Sequence, residues 1–151
     1  MGDNQWTPVL VEERLTEAAD VLKRLPERNV QGYFNVWPDV VCSFADLVGQ
    51  TPEPMRCPLP SPAAITRMEE TITWVQLLAP DDARLVWARA EGARWKEICW
   101  RFGIARATAH RRWQYGLSVM ALKLNGQRVQ TNRSQSFVVE QANKLSRIKR
   151  A

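Results

Sequence analysis

Acid/base and nucleophilic catalysis need carboxylates, a histidine or an activated hydroxyl or thiol converging on one cleft. The sequence offers few such groups: adjacent carboxylates at Asp81-Asp82 and Glu69-Glu70, and a single histidine, His110. Asp81 and Asp82 follow Pro80 at the start of a helical segment, where the helix dipole favours negative charge. Glu69 and Glu70 fall on the solvated side of another. With no second histidine beside it, His110 reads as a neutral surface or phosphate-proximal residue rather than a metal ligand. Cys42, Cys57 and Cys99 form no CxxC or CxxH pair and leave one thiol over in any disulfide scheme, so they are read as reduced thiols. There is no phosphate-cradling glycine loop and no Ser/His/Asp set. The expectation is a protein that is not an enzyme and that uses no cofactor and no metal.

The cations carry more information. Residues 1–83 hold 6 Lys/Arg against 13 Asp/Glu, and residues 84–151 hold 15 against 3, so an acidic half of net −7 precedes a basic half of net +12. A field divided in this way draws polyanions to one face. The basic half centres on WKEICWRFGIARATAHRRW, Trp95 to Trp113, in which five Lys/Arg surround one glycine. At helical spacing Trp95, Ile98, Cys99 and Phe102 share a face. Gly103 supplies a turn in which a left-handed residue costs least, and Ile104 fills the elbow. Ala109, Trp113, Gly116, Leu117 and Met120 continue the buried side, which leaves Arg106, Ala107, His110, Arg111 and Gln114 opposite.

A short helix, a glycine turn and a second helix with exposed N-terminal residues is the helix-turn-helix arrangement, whose second helix meets DNA in the major groove. Arg106 and Arg111 suit bidentate contacts with guanine O6/N7, and Gln114 suits adenine. Arg94, Lys96 and Arg112 are placed for phosphates, and Thr108 is counted with the DNA-facing set. One such module binds weakly. Specificity then requires a second contact, from a second DNA-binding activator, a dimer or the basic tail.

The elements that must position this stretch are helical throughout, and the predicted fold class is all-α: a small helical protein with the helix-turn-helix towards its C-terminus. Thr7-Pro8 is a capping hydroxyl followed by proline at the first helical position, and Leu15, Ala18, Leu22 and Leu25 follow as an apolar stripe ended by Pro26. Trp37-Pro38 and DVVCSFADLVG read as a short helix closed by Gly49. These form an acidic N-terminal segment, residues 1–49. Residues 50–62, QTPEPMRCPLPSP, hold five prolines and read as a linker that can be neither helix nor central strand. Residues 63–126 form the helix-turn-helix domain. Within it Ile65, Met68, Ile72, Val75 and Leu78 make one helical stripe, a helix from Pro80 continues to Gly92, and two more cover 94–102 and 105–124. Residues 127–151 are a basic tail with a weak helical pattern at Val138, Gln141, Leu145 and Ile148, expected to be partly disordered without a partner.

Trp74, Trp87, Trp100 and Trp113 stand at or beside core-facing positions, whereas Trp6 and Trp37 are the candidate exposed anchors for a protein interface. No run approaches about 18 apolar residues. MGDNQWTPVL lacks the basic and then apolar layout of a signal peptide, so a cytoplasmic protein without a membrane partner is expected.

The segment LLAPDDARLVWARAEGARWKEICWRFGIARATAHRRWQYGLSVMALKL resembles region 4 of bacterial sigma factors, with Glu97, Ile98, Cys99, Phe102, Gly103, Ile104, Thr108, Arg112 and Leu117 on the motif positions. Cys99 stands where a small alanine is usual, which a free thiol tolerates as a small apolar group. Ala105 stands in place of a capping serine, at a cost of about 1 kcal/mol. Over residues 6–126 the chain resembles a family of small alphaproteobacterial transcription activators of prophages and gene-transfer-agent systems, through WTPVLVEERLTEAADVLKRLP, GYFNVWPDVV, the long PAAITRMEE to QYGL segment and LNG. That resemblance implies activation of a gene-transfer-agent or prophage late gene cluster through RNA polymerase and DNA, as a Q-like antitermination factor. A promoter-specific activator that does not travel with polymerase is the alternative. A phage terminase small subunit is another, though such subunits carry their DNA-binding helices first and an oligomerising segment after, the reverse of the order here.

Overall fold

Helix starts follow the local chemistry closely. In the structure, a computed structural model, residues 5–25, 58–129 and 133–148 are described, and all regular elements among them are helices: α1 (Pro8–Arg24), α2 (Pro62–Val75), α3 (Pro80–Ala90), α4 (Trp95–Phe102), α5 (Arg106–Leu124) and α6 (Gln135–Ile148). The protein is an all-α, small helical protein. Thr7 caps α1 by accepting from the Leu10 N–H at 3.3 Å, and Ser61 caps α2 by accepting from the Ala64 N–H at 3.3 Å, each with proline in the first turn. At α3, Pro80 is followed by Asp81 and Asp82 in the first turn without a side-chain cap. The short helix expected around 39–49, most of the Pro-rich segment, Trp37, Cys42 and Cys57 lie outside the described residues.

α5 is the axis of the core. Every residue from Gly116 to Leu122 is buried, because other helices cover this half of α5 on more than one side. Val11 and Leu15 of α1 and Val86 of α3 pack with Leu117, Met120 and Ala121. Val138 and Ala142 of α6 pack with Val119 and Leu122. Leu85 and Ala88 of α3 enclose Ile98 and Ala109, which fixes α4 against the first half of α5. α2 is carried on α1 through Ala18, Val21 and Met68. The helix of the N-terminal segment therefore shares one core with residues 63–126, and the tail contributes a docked helix rather than only loose chain.

Two expected stripe positions face outward. Leu22 is 43% exposed and Ile72 37% exposed. α1 instead buries Val11, Leu15, Ala18, Ala19 and Val21, and α2 buries Met68, Thr71 and Trp74. The small Ala18-Ala19 pair lets neighbours approach α1 on a wider arc than a single stripe, so position 21 turns in and position 22 out. Thr71 is tolerated inside because its Oγ1 donates to the Arg67 carbonyl at 2.7 Å.

Polar ties join the helices. Arg67 donates to Glu17 Oε1 from Nε at 3.1 Å and from an η nitrogen at 2.6 Å, joining α2 to α1. These hydrogen bonds, aided by the Arg67 and Arg14 charges, hold the Glu17 carboxyl below its usual range against the opposing effect of partial burial. Lys23 Nζ donates to the Glu91 carbonyl at 2.6 Å, at the C-terminal end of α3. Asn125, just past α5, makes a reciprocal pair with the Trp6 backbone: the Trp6 N–H donates to Oδ1 at 2.8 Å, and Nδ2 donates to the Trp6 carbonyl at 2.8 Å. Asn125→Ala is expected to cost about 1–3 kcal/mol, since both backbone groups are partly buried. Asn125→Asp keeps the acceptor alone and is expected to recover part of the loss; equal melting of Ala and wild-type proteins would rule the tie out.

At Gly116 α5 lies close against α3. A Cβ there would lie 2.8 Å from Val86 Cγ2 and 3.4 Å from Leu78 Cδ1. Val86 is buried and β-branched, so it has little freedom to swing away. Gly116→Ala is expected to lower stability by about 1–3 kcal/mol in denaturant unfolding, although alanine in a helix interior would otherwise gain about 1 kcal/mol over glycine. Unchanged or raised stability would mean the two helices can separate freely.

Candidate nucleic-acid interface

α4 and α5 are joined through Gly103, Ile104 and Ala105. Gly103 has φ 63° and ψ 30°, the left-handed conformation expected of it, and its N–H closes α4 on the Cys99 carbonyl. Ile104 donates its N–H to the same carbonyl at 3.2 Å and packs its side chain into the α3–α4–α5 cluster. Ala105 makes no side-chain cap for α5.

The first half of α5 then differs from the second. Ala109 is buried, while Arg106, Ala107, His110, Arg111 and Gln114 are exposed together, as expected from their spacing. Arg94 and Lys96, at the start of α4, are exposed too. Between them Trp95 packs against His110 and Trp113, with ring centroids 5.4 and 5.7 Å away, and His110 and Trp113 are themselves 5.4 Å apart. Arg89 stacks on Trp95, its guanidinium 5.0 Å from the ring centre, and one η nitrogen donates to the Ala93 carbonyl at 3.1 Å. The aromatic group ties the start of α4, where Arg94 and Lys96 stand exposed, to the first half of α5.

The other flank is α6. A cleft of about 730 Å³ separates Arg111 and Gln114 from Gln135, Val139, Asn143 and Lys144. No sequence signal placed the tail there, because docking of α6 depends on a small buried pair, Val138 and Ala142, meeting the apolar second half of α5.

Three expectations are corrected. Arg112 is less open to solvent than the other cations: its Nε and an η nitrogen both lie 2.8 Å from Asp82 Oδ1, and the two side chains are only 28% and 14% exposed. Arg112 is occupied in tying α5 to α3, and Thr108 beside it on the motif is half-buried. Trp6 is not a free anchor either. It is half-buried, packs edge-on to Trp74 with centroids 4.7 Å apart, and joins the α1–α3–α5 core cluster. Trp100, expected to pack, is 87% exposed. The signal was present: two residues on from the buried Ile98, at about 100° per residue, a side chain points to the opposite side of the helix.

Among the described residues no group of three or more His, Cys, Asp or Glu could hold a metal ion, and no helix is long and apolar enough to cross a membrane. Fold and surface together define a small all-helical protein that exposes cations on one half of its central helix. The chain belongs to the family described as a domain of unknown function, DUF6362, whose model matches residues 23–120. Neither a curated protein nor a solved structure matches the chain. The matched span runs from the end of α1 to within α5 and holds every candidate DNA-facing residue.

Proposed function

We propose that this protein is a cytoplasmic transcription regulator that engages DNA and RNA polymerase through α4, the Gly103 turn and α5 acting as a sigma region 4-like helix-turn-helix. The observation that carries the reading is the division of α5: its second half is buried in the core, and its first half presents Arg106, Ala107, His110, Arg111 and Gln114 on one exposed face. A helix anchored at one end, and packed on one side while exposed on the other at its start, is what insertion into a groove of about 12 Å demands. Arg106 and Arg111 read bases, and Arg94 and Lys96 meet phosphates. The polymerase contact rests on the resemblance to region 4, and Trp100 on the outer side of α4 is the exposed side chain best suited to anchor a protein partner. On the family resemblance, the target is a prophage or gene-transfer-agent late gene cluster and the mode is Q-like antitermination, with a second DNA-binding activator adding specificity.

The test is a genome-wide crosslinking profile of the tagged protein beside that of polymerase in the same cells. Signal that starts at a promoter and extends with polymerase over the downstream genes supports antitermination. Peaks confined to promoters mean an activator that stays bound to DNA. Occupancy indifferent to transcription would sink the regulatory reading in favour of DNA packaging.

A further inference from the structure

A helix lying in a major groove is bordered by two phosphodiester strands, one along each flank. The α4 side of the exposed face supplies Arg94 and Lys96 for one of them. On the opposite side the cleft between α5 and α6 is open to solvent; its lining is more apolar than polar and includes Val139, and hydrogen-bonding groups stand on both walls, Arg111 and Gln114 on one, Gln135, Asn143 and Lys144 on the other. Val138 and Ala142 hold α6 in register with α5, so that wall is carried on the core.

We propose that this cleft seats one sugar-phosphate strand of duplex DNA, making α6 the second rim contact of the same interface. The inference rests on the DNA-binding reading of α5. The amide and ammonium groups of Gln135, Asn143 and Lys144 donate to phosphate oxygens on the far side of the strand, while Arg111 and Gln114 reach past it to base edges. Glu140 also borders the cleft, its Oε1 3.1 Å from Lys144 Nζ. Its charge opposes the phosphates, so the two members of this exposed pair have opposite effects on binding. A weakly binding single module thereby gains backbone contacts that carry no sequence information but set its orientation.

The test uses the full chain and a labelled mixed-sequence DNA duplex, with affinity followed by anisotropy over a series of salt concentrations. Lys144→Gln is expected to weaken binding and to reduce the slope of log affinity on log salt by about 0.9, one phosphate contact. Glu140→Gln is expected to tighten binding several-fold. Both positions are exposed, so melting should stay near that of the wild type. If both variants bind as the wild type does while the double variant Arg106→Glu, Arg111→Glu does not bind, the α6 contact is wrong and the α5 reading stands. If all three bind as the wild type does, or if the wild type does not bind duplex DNA at low salt, both fail.

Discussion

Reversing two charges, Arg106→Glu together with Arg111→Glu, is expected to lower affinity for duplex DNA by about a hundredfold or more at low salt, with helical content and melting unchanged. The size follows from removing two groups suited to bidentate base contacts, each worth about 1–3 kcal/mol, and placing carboxylates against a phosphate-rich surface. Fold damage is an unattractive explanation for such a loss. Both side chains are exposed, and Arg106 opens α5 at a terminus with no side-chain cap. A glutamate there interacts favourably with the helix dipole, by about 0.3–1 kcal/mol. The double variant should therefore be at least as stable as the parent. Retained affinity in a protein that melts normally would remove α5 as the recognition helix.

Arg112 separates the structure's account from that of the motif. Arg112→Ala is expected to lower stability by about 2–3 kcal/mol, and Asp82→Ala by a similar amount, because each leaves the other charge partly buried without its partner. That is somewhat below the range for a fully buried pair, since solvent still reaches Arg112. The double variant should cost much less than the sum of the two, with a coupling energy of about 1–3 kcal/mol in a double-mutant cycle. Per folded molecule, DNA affinity and its salt slope should be unchanged, since the guanidinium is already engaged by a carboxylate 30 residues away in sequence. A phosphate contact predicts the reverse pattern: unchanged stability and a salt slope reduced by about 1.

The two positions show what kind of information a motif carries. Arg106 and Arg112 are both cations on α5, six residues apart, and both were expected to meet DNA. The first is exposed, whereas the second is partly buried and held by a carboxylate. The difference comes from α3, whose dipole-favoured Asp82 lies close enough to capture one of them. The helix start at Pro80 was legible in the sequence, and the pairing across it was not.

The same boundary runs through the rest of the molecule. The caps at Thr7 and Ser61, the left-handed Gly103, the spacing of Trp95, Ile98, Cys99 and Phe102 and the outward set Arg106, Ala107, His110, Arg111 and Gln114 are local matters of backbone preference and a 3.6-residue period. The sequence by itself determined them, along with the all-helical class and the separation of acidic and basic halves. Tertiary structure decided what packing and pairing each position received: Val21 is buried and Leu22 is not, Trp6 packs half-buried on Trp74, and Arg112 rather than Arg106 is held by a carboxylate. It also placed α6 beside the exposed half of α5. Those outcomes depend on contacts between residues far apart in sequence, where small groups such as Gly116, Ala18 and Ala142 permit close approach, and no periodicity within one helix records what its neighbours will cover.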